Sequence, residues 1–279
     1  MSRLDKEQRR VEQELITIVQ NREEADRAYD KIKGSMQGKL LCVNLARNLS
    51  PSYPSNKAKF TPATINAATV YIVDRLDREL RKTKKKGPLL LILAGGELAY
   101  SSLNTPSTSL KEKVEQADLI FGSTMTRFEA DYKLIDQALL FGWRVHVYFI
   151  YHPYHELVLD MLQSTQLTGS YVGLGKGKDM SRIHVESRLC FEQVYYNFRE
   201  RKGIEFYVLC PNVTRVEDFL SQPRPNVQSL LLVEEKVKRE FVRSGGLEQV
   251  IQLCEKGTRM QSNIDKREHN HLYWNRCNL

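Results

Sequence analysis

Residues 88–96 read PLLLILAGG, and this stretch decides the fold. Leu89 to Leu93 form a short, wholly apolar run, the pattern of a strand buried on both faces of a parallel sheet. Gly95 and Gly96 then allow a tight turn. Moving outward, Leu110 to Gln116 read as a helix, with Ser107, Thr108 or Ser109 available to cap it. ADLIFGS (117–123) gives a second short apolar strand. Phe128 to Phe141 carry Leu134, Ile135, Ala138 and Leu139 on one helical face, closed by Gly142. Arg144 to Tyr151 is the next strand and Glu156 to Leu162 the next helix. The segment 165–181 is rich in glycine and lysine and reads as a loop. A helix over Arg182–Arg201 and a strand over Gly203–Cys210 complete the series. Strand and helix alternate from 88 to 220, which predicts an α/β fold with a parallel sheet and right-handed crossovers. In such folds ligands gather at the carboxyl ends of the strands, here Gly95–Ser102, Gly122–Thr126 and His152–His155.

The flanks are helical. Residues 4–33 read as one long amphipathic helix, either a contact for a protein partner or a helix packed on its own domain. Residues 39–60 follow as a loop after a short helical stretch, with Pro51 and Pro54 among serines. Pro62 suits the first turn of a helix that runs to Thr83 and ends in a basic cluster, Arg81 to Gly87. Val216–Leu220, Val227–Arg243 and Leu247–Glu255 are further helical candidates, and the tail 266–279 reads as loosely ordered. The expected division is 1–36, 37–225 and 226–279.

Composition bounds the function. Of the 279 residues, 41% are hydrophobic and 27% charged, as in an ordinary globular protein. Mean hydropathy is −0.46, and no apolar run approaches the roughly 20 residues that span a bilayer. The first residues lack the apolar core of a secretory signal. Five scattered cysteines without a CxxC pair read as buried thiols of a reducing, cytoplasmic compartment. The net charge of +8 suits anionic partners such as nucleotides or sugar nucleotides, and equally a solvated basic surface. No nucleic-acid-binding motif accompanies it, so nucleic acid is not the expected partner. His152 and His155, and His269 and His271 with Cys277, do not reach a four-ligand metal set.

One further pattern emerges from order and spacing. CVNLARNLSPSY (42–53), a helix, LLLILAGG (89–96), ADLIFGSTMTRFE (117–129), GWRVHVYFIY (142–151) and a Gly-rich basic segment before His184 resemble zeta-toxin-like P-loop kinases of bacterial mobile elements, over roughly residues 40–220. That resemblance implies a P-loop kinase fold using ATP and Mg²⁺ to phosphorylate a small hydroxyl substrate such as UDP-N-acetylglucosamine. It implies nucleotide contacts at Gly95, Gly96, Ser101 and Ser102, with Ser102 also on the metal. Ser123 and Thr124 fall at the substrate position, Glu129 at a candidate base, and Lys178, Arg182 and Arg188 on the cationic lid.

The sequence departs from the family where chemistry depends on it. Counting from Gly95, the second glycine slot of a Walker A loop holds Tyr100 and the lysine slot holds Ser101. Tyrosine does not adopt glycine's positive φ cheaply, and serine cannot neutralise a phosphate. Glu97 adds negative charge in the same loop, and the acid many relatives carry before the paired hydroxyls is Gly122 here. Losing one charge-stabilising donor costs roughly 3–4 kcal/mol of transition-state stabilisation. The expectation is a degenerate kinase fold serving as a binding or interaction protein. The alternative is an active kinase whose cation has moved to Lys111, Lys113, Lys176 or Lys178.

Overall fold

The computed structural model describes residues 4–82, 85–95, 108–168, 180–211, 213 and 215–243. Met1–His152 with Gly177–Pro225 form one compact unit, and Pro153–Lys176 with Asn226–Leu279 a second.

The first unit opens with α1 (Lys6–Gln20) and α2 (Arg22–Asp30) in place of one continuous helix. Asn21 breaks the run with φ −88° and ψ 86°, and its side chain accepts the Glu24 amide, which caps α2. Asp5 and Gln8 close a capping box at the start of α1. Val11 and Leu15 are fully buried, so the apolar stripe of α1 is consumed within its own unit.

Next come β1 (Leu40–Cys42), a strand inside the segment read above as loop, and the single turn α3 (Val43–Ala46). A three-residue strand at a sheet edge leaves little periodicity to detect. Its free edge is closed by Tyr29, whose hydroxyl donates to the Leu40 carbonyl (2.8 Å) and accepts the Cys42 amide (2.9 Å). Helix α4 (Lys57–Lys82) starts a turn earlier than Pro62 suggests. Asn56 accepts the Lys59 amide on its side chain, so Asn56 and not the proline sets the start. Pro62 therefore lies inside the helix and withholds one amide from its hydrogen bonding.

The alternating region forms as read: β2 (Leu89–Ala94), α5 (Thr108–Gln116), β3 (Leu119–Ser123), α6 (Phe128–Leu140) and β4 (Arg144–Ile150). After α7 (Tyr154–Thr168), which belongs to the second unit, the first unit resumes with α8 (Met180–Phe198), β5 (Ile204–Leu209) and α9 (Val216–Ser221). The five strands form one parallel sheet in the order β1-β3-β2-β4-β5. This is the expected α/β architecture, a parallel sheet flanked by helices. All six residues of β2 are buried, as a central strand requires.

The two faces follow from the pleat. Leu90, Ile92, Ala94, Val145, Val147 and Phe149 point into a core shared with α4, α6, α8 and α9. Leu89, Leu91, Leu93, Tyr148 and Ile150 point the other way, toward Leu110 of α5. The path from β2 to β3 runs opposite to the other crossovers, so a constant right hand places α5 on the second face. The chain thus leaves β2 toward one face, and β3 and β4 toward the other. That divergence makes the carboxyl end of β2 the topological switch point. Phe149 stacks on Phe191 at 4.4 Å between ring centroids and Trp143 Nε1 donates to the Leu80 carbonyl, which fixes α8 and α4 against β4.

In the second unit α7 pairs with α10 (Val227–Arg243). Tyr154 donates to the Glu234 carboxylate at 2.7 Å, and Lys238 pairs with the same group. Among the described residues no helix is long and apolar enough to cross a membrane. The readings at 83–84, 96–107, 169–179 and 244–279, including the 247–255 helix and the tail, lie outside the described residues.

Candidate functional site

Three strand ends meet at the switch point. Gly95, directly after β2, has φ +124°, and a Cβ there would lie 2.2 Å from the Ile150 carbonyl oxygen. Only glycine fits this close approach of two strand ends. Gly96, Ser101 and Ser102, like Glu97 and Tyr100, lie outside the described residues.

After β3 the chain makes a tight turn around a half-buried acid, Asp131. Ser123 Oγ donates to Asp131 Oδ1 at 3.0 Å and accepts the Met125 amide at 2.9 Å. Met125 is buried and sits at φ +47°, a conformation rare for a residue with a long side chain. The other oxygen of Asp131 receives the Arg127 amide (3.4 Å) and the Cys190 thiol (3.5 Å). Burial outweighs these donors and holds the Asp131 carboxyl above the usual range for an aspartic acid. The neighbouring carboxylate in turn helps push the Cys190 thiol up, behind the larger effect of burial. Thr124 is exposed, with its hydroxyl 3.4 Å from that of Thr126. Ser123 is therefore an internal tether, and Thr124 is the hydroxyl this turn presents outward. Glu129 is exposed on the first turn of α6, where the helix dipole favours an acid.

The cations divide. Arg182 is exposed and faces Glu186 at 3.6 Å. Arg188 is 2% exposed. It donates to the carbonyls of Phe219 (3.1 Å), Gln222 (2.7 Å) and Pro223 (3.3 Å), at and beyond the end of α9. Its guanidinium also lies over the Phe219 ring at 4.6 Å. The structure thus uses Arg188 to seat α9, not to face solvent. Lys113 lies over Tyr207, with its ammonium 5.6 Å from the ring centre, and Lys111 is exposed on α5. Lys176 and Lys178 lie outside the described residues.

Two polar groups here have structural roles that sequence reasoning does not assign. An acid in a first helical turn reads as dipole-favoured surface, yet Asp131 organises the turn after β3. His184 packs on Tyr151 at 4.9 Å, and burial lowers its pKa to about 4, helped by Arg188 and His152. It is a neutral core histidine at physiological pH. Among the described residues no three His, Cys, Asp or Glu side chains gather as metal ligands.

The sheet defines an α/β protein whose candidate ligand edge lies at the switch between β2, β3 and β4. No family model matches the chain, and no curated protein matches it. Among solved structures it is similar to a chain from the PezAT chromosomal toxin–antitoxin system of Streptococcus pneumoniae. That likeness is distant: 14% identity and a TM-score of 0.31, over 61% of this chain and 96% of that one.

Proposed function

We propose that this chain is a zeta-toxin-like protein in which phosphoryl transfer is impaired, and that it serves as a binding or interaction protein. Its ligand is a nucleotide or sugar nucleotide, taken at the carboxyl edge of the sheet. One observation carries the reading: Tyr100 and Ser101 stand where a phosphate-cradling loop needs glycine and lysine. The placement of Arg188 supports it, since the side chain is buried and both of its Nη groups are engaged by the carbonyls of Phe219, Gln222 and Pro223. These residues do not fit ATP and Mg²⁺ as reacting partners. A protein partner, such as the antitoxin of a toxin–antitoxin pair, belongs to the same reading. At the N-terminal helix it would meet the charged outer face, because Val11 and Leu15 are buried.

The test is a thermal-shift titration with ATP–Mg²⁺ and with UDP-N-acetylglucosamine, paired with a phosphoryl-transfer assay. A ligand that prefers the native state must raise the melting temperature. The expected result is a ligand-dependent rise without transfer. Robust phosphorylation that disappears in Ser102→Ala would overturn the proposal and favour the active kinase.

A further inference from the structure

Arg47 follows α3, five residues beyond the end of β1, on the same carboxyl edge as Gly95 and Thr124. The register pairs Cys42 with Gly122, and the Cys42 sulfur lies 3.6 Å from where a Gly122 Cβ would stand. Only the single turn α3 separates Cys42 from Arg47, so Arg47 follows the strand end beside the one that leads into Ser123 and Thr124. Its guanidinium has no carboxylate partner among the described residues, and its Nε is shielded from solvent without a hydrogen-bond partner. Arg75 and Arg188 also carry an Nε shielded without a hydrogen-bond partner, but unlike Arg47 their Nη groups are engaged. Arg188 is committed to three carbonyls, and Arg75 and Arg78 are paired with Asp26, Asp30 and Asp74. A shielded cationic donor left unmatched is a costly arrangement for the empty protein. Nε and its neighbouring Nη form the side-on fork that grips an oxyanion through two parallel hydrogen bonds.

We propose that Arg47 is the anion-reading residue of this edge and takes a phosphate group of the ligand, with Thr124 as a neighbouring hydroxyl donor. The inference rests on the reading that the edge binds a phosphate-bearing molecule, and it names the residue that holds the phosphate. Arg47 acts by binding, and no chemical step is assigned to it.

The experiment measures binding of UDP, inorganic pyrophosphate and uridine to the full chain by calorimetry, for wild type, Arg47→Met and Arg47→Lys. Unliganded melting temperatures are read in parallel. Arg47→Met should weaken UDP binding about ten-fold or more, which is about 1.4 kcal/mol. Arg47→Lys should recover part of that loss, and uridine affinity should be the same in all three proteins. Unliganded Arg47→Met should melt no lower than wild type, because no native partner is lost. Tight pyrophosphate binding would mark the ligand as a free phosphate anion, and binding of UDP alone would mark it as a nucleotide. If wild type binds UDP or pyrophosphate and Arg47→Met binds it equally well, this inference fails while the proposed function stands. If unliganded Arg47→Met melts lower, Arg47 is a structural residue and the inference also fails. If wild type binds neither phosphate compound, both readings fall.

Discussion

Replacing Arg188 with methionine separates a structural arginine from a lid arginine. The substitution keeps much of the aliphatic bulk and removes donors from the carbonyls of Phe219, Gln222 and Pro223. A hydrogen bond from a charged group contributes about 1.5–3 kcal/mol, and the stacking on Phe219 roughly 0.5–2 kcal/mol more. Against this, burying a guanidinium costs several kcal/mol, which the variant recovers. Burial is also the main reason that the pKa of Arg188 lies below its ordinary value. The net loss should be about 3 kcal/mol, equivalent to a melting shift of about 6–12 °C for a domain of this size. Arg188→Lys should lose nearly as much, because one ammonium cannot serve three carbonyls in a fixed fork. Urea unfolding of the three proteins measures the loss directly. A loss below about 1 kcal/mol for both variants would refute the reasoning and return Arg188 to the solvent-facing lid.

Tyr29→Phe should destabilise by about 2 kcal/mol in urea unfolding, because it strands the Cys42 amide and the Leu40 carbonyl on the sheet edge. Unchanged stability would show that water or a neighbour replaces the hydroxyl. Gly95→Ala should cost at least about 2 kcal/mol, since its Cβ would overlap the Ile150 carbonyl at a φ outside the range of alanine. A soluble variant with wild-type melting would contradict the described turn. His184 gives a pH dependence: its folded pKa is lowered to about 4 from an ordinary 6.5, so the fold favours the neutral ring. Its stabilising contribution is therefore present above pH 6.5 and lost as the pH falls toward 4, by about 3 kcal/mol in all. His184→Gln should flatten that part of the stability–pH curve measured by urea unfolding, and an unaltered slope would contradict the burial of the ring.

What the sequence reveals and hides has physical reasons. The six buried residues of β2 are legible because a central parallel strand tolerates only apolar side chains on both faces. Helix α10 is legible because its apolar positions repeat at helical spacing over Val227–Arg243. β1 is hidden because three residues carry no period and its edge is closed by Tyr29, a residue from an earlier helix. The break at Asn21 is hidden because apolar spacing continues through it while the backbone turns. The candidate ligand edge is only half legible. Gly95 and the Ser123–Thr124 pair follow from strand ends, but the roles of Asp131 and Arg188 arise from partners 8 and at least 31 residues away. No local pattern records such contacts.

The central claim is tested most directly by restoring what the loop lacks. The double substitution Tyr100→Gly with Ser101→Lys should raise affinity for ATP–Mg²⁺ measured by calorimetry, whereas the natural chain should bind it weakly and transfer no phosphoryl group. Tight ATP–Mg²⁺ binding by the natural chain, undiminished when Ser101 and Ser102 are replaced by alanine, would contradict the account.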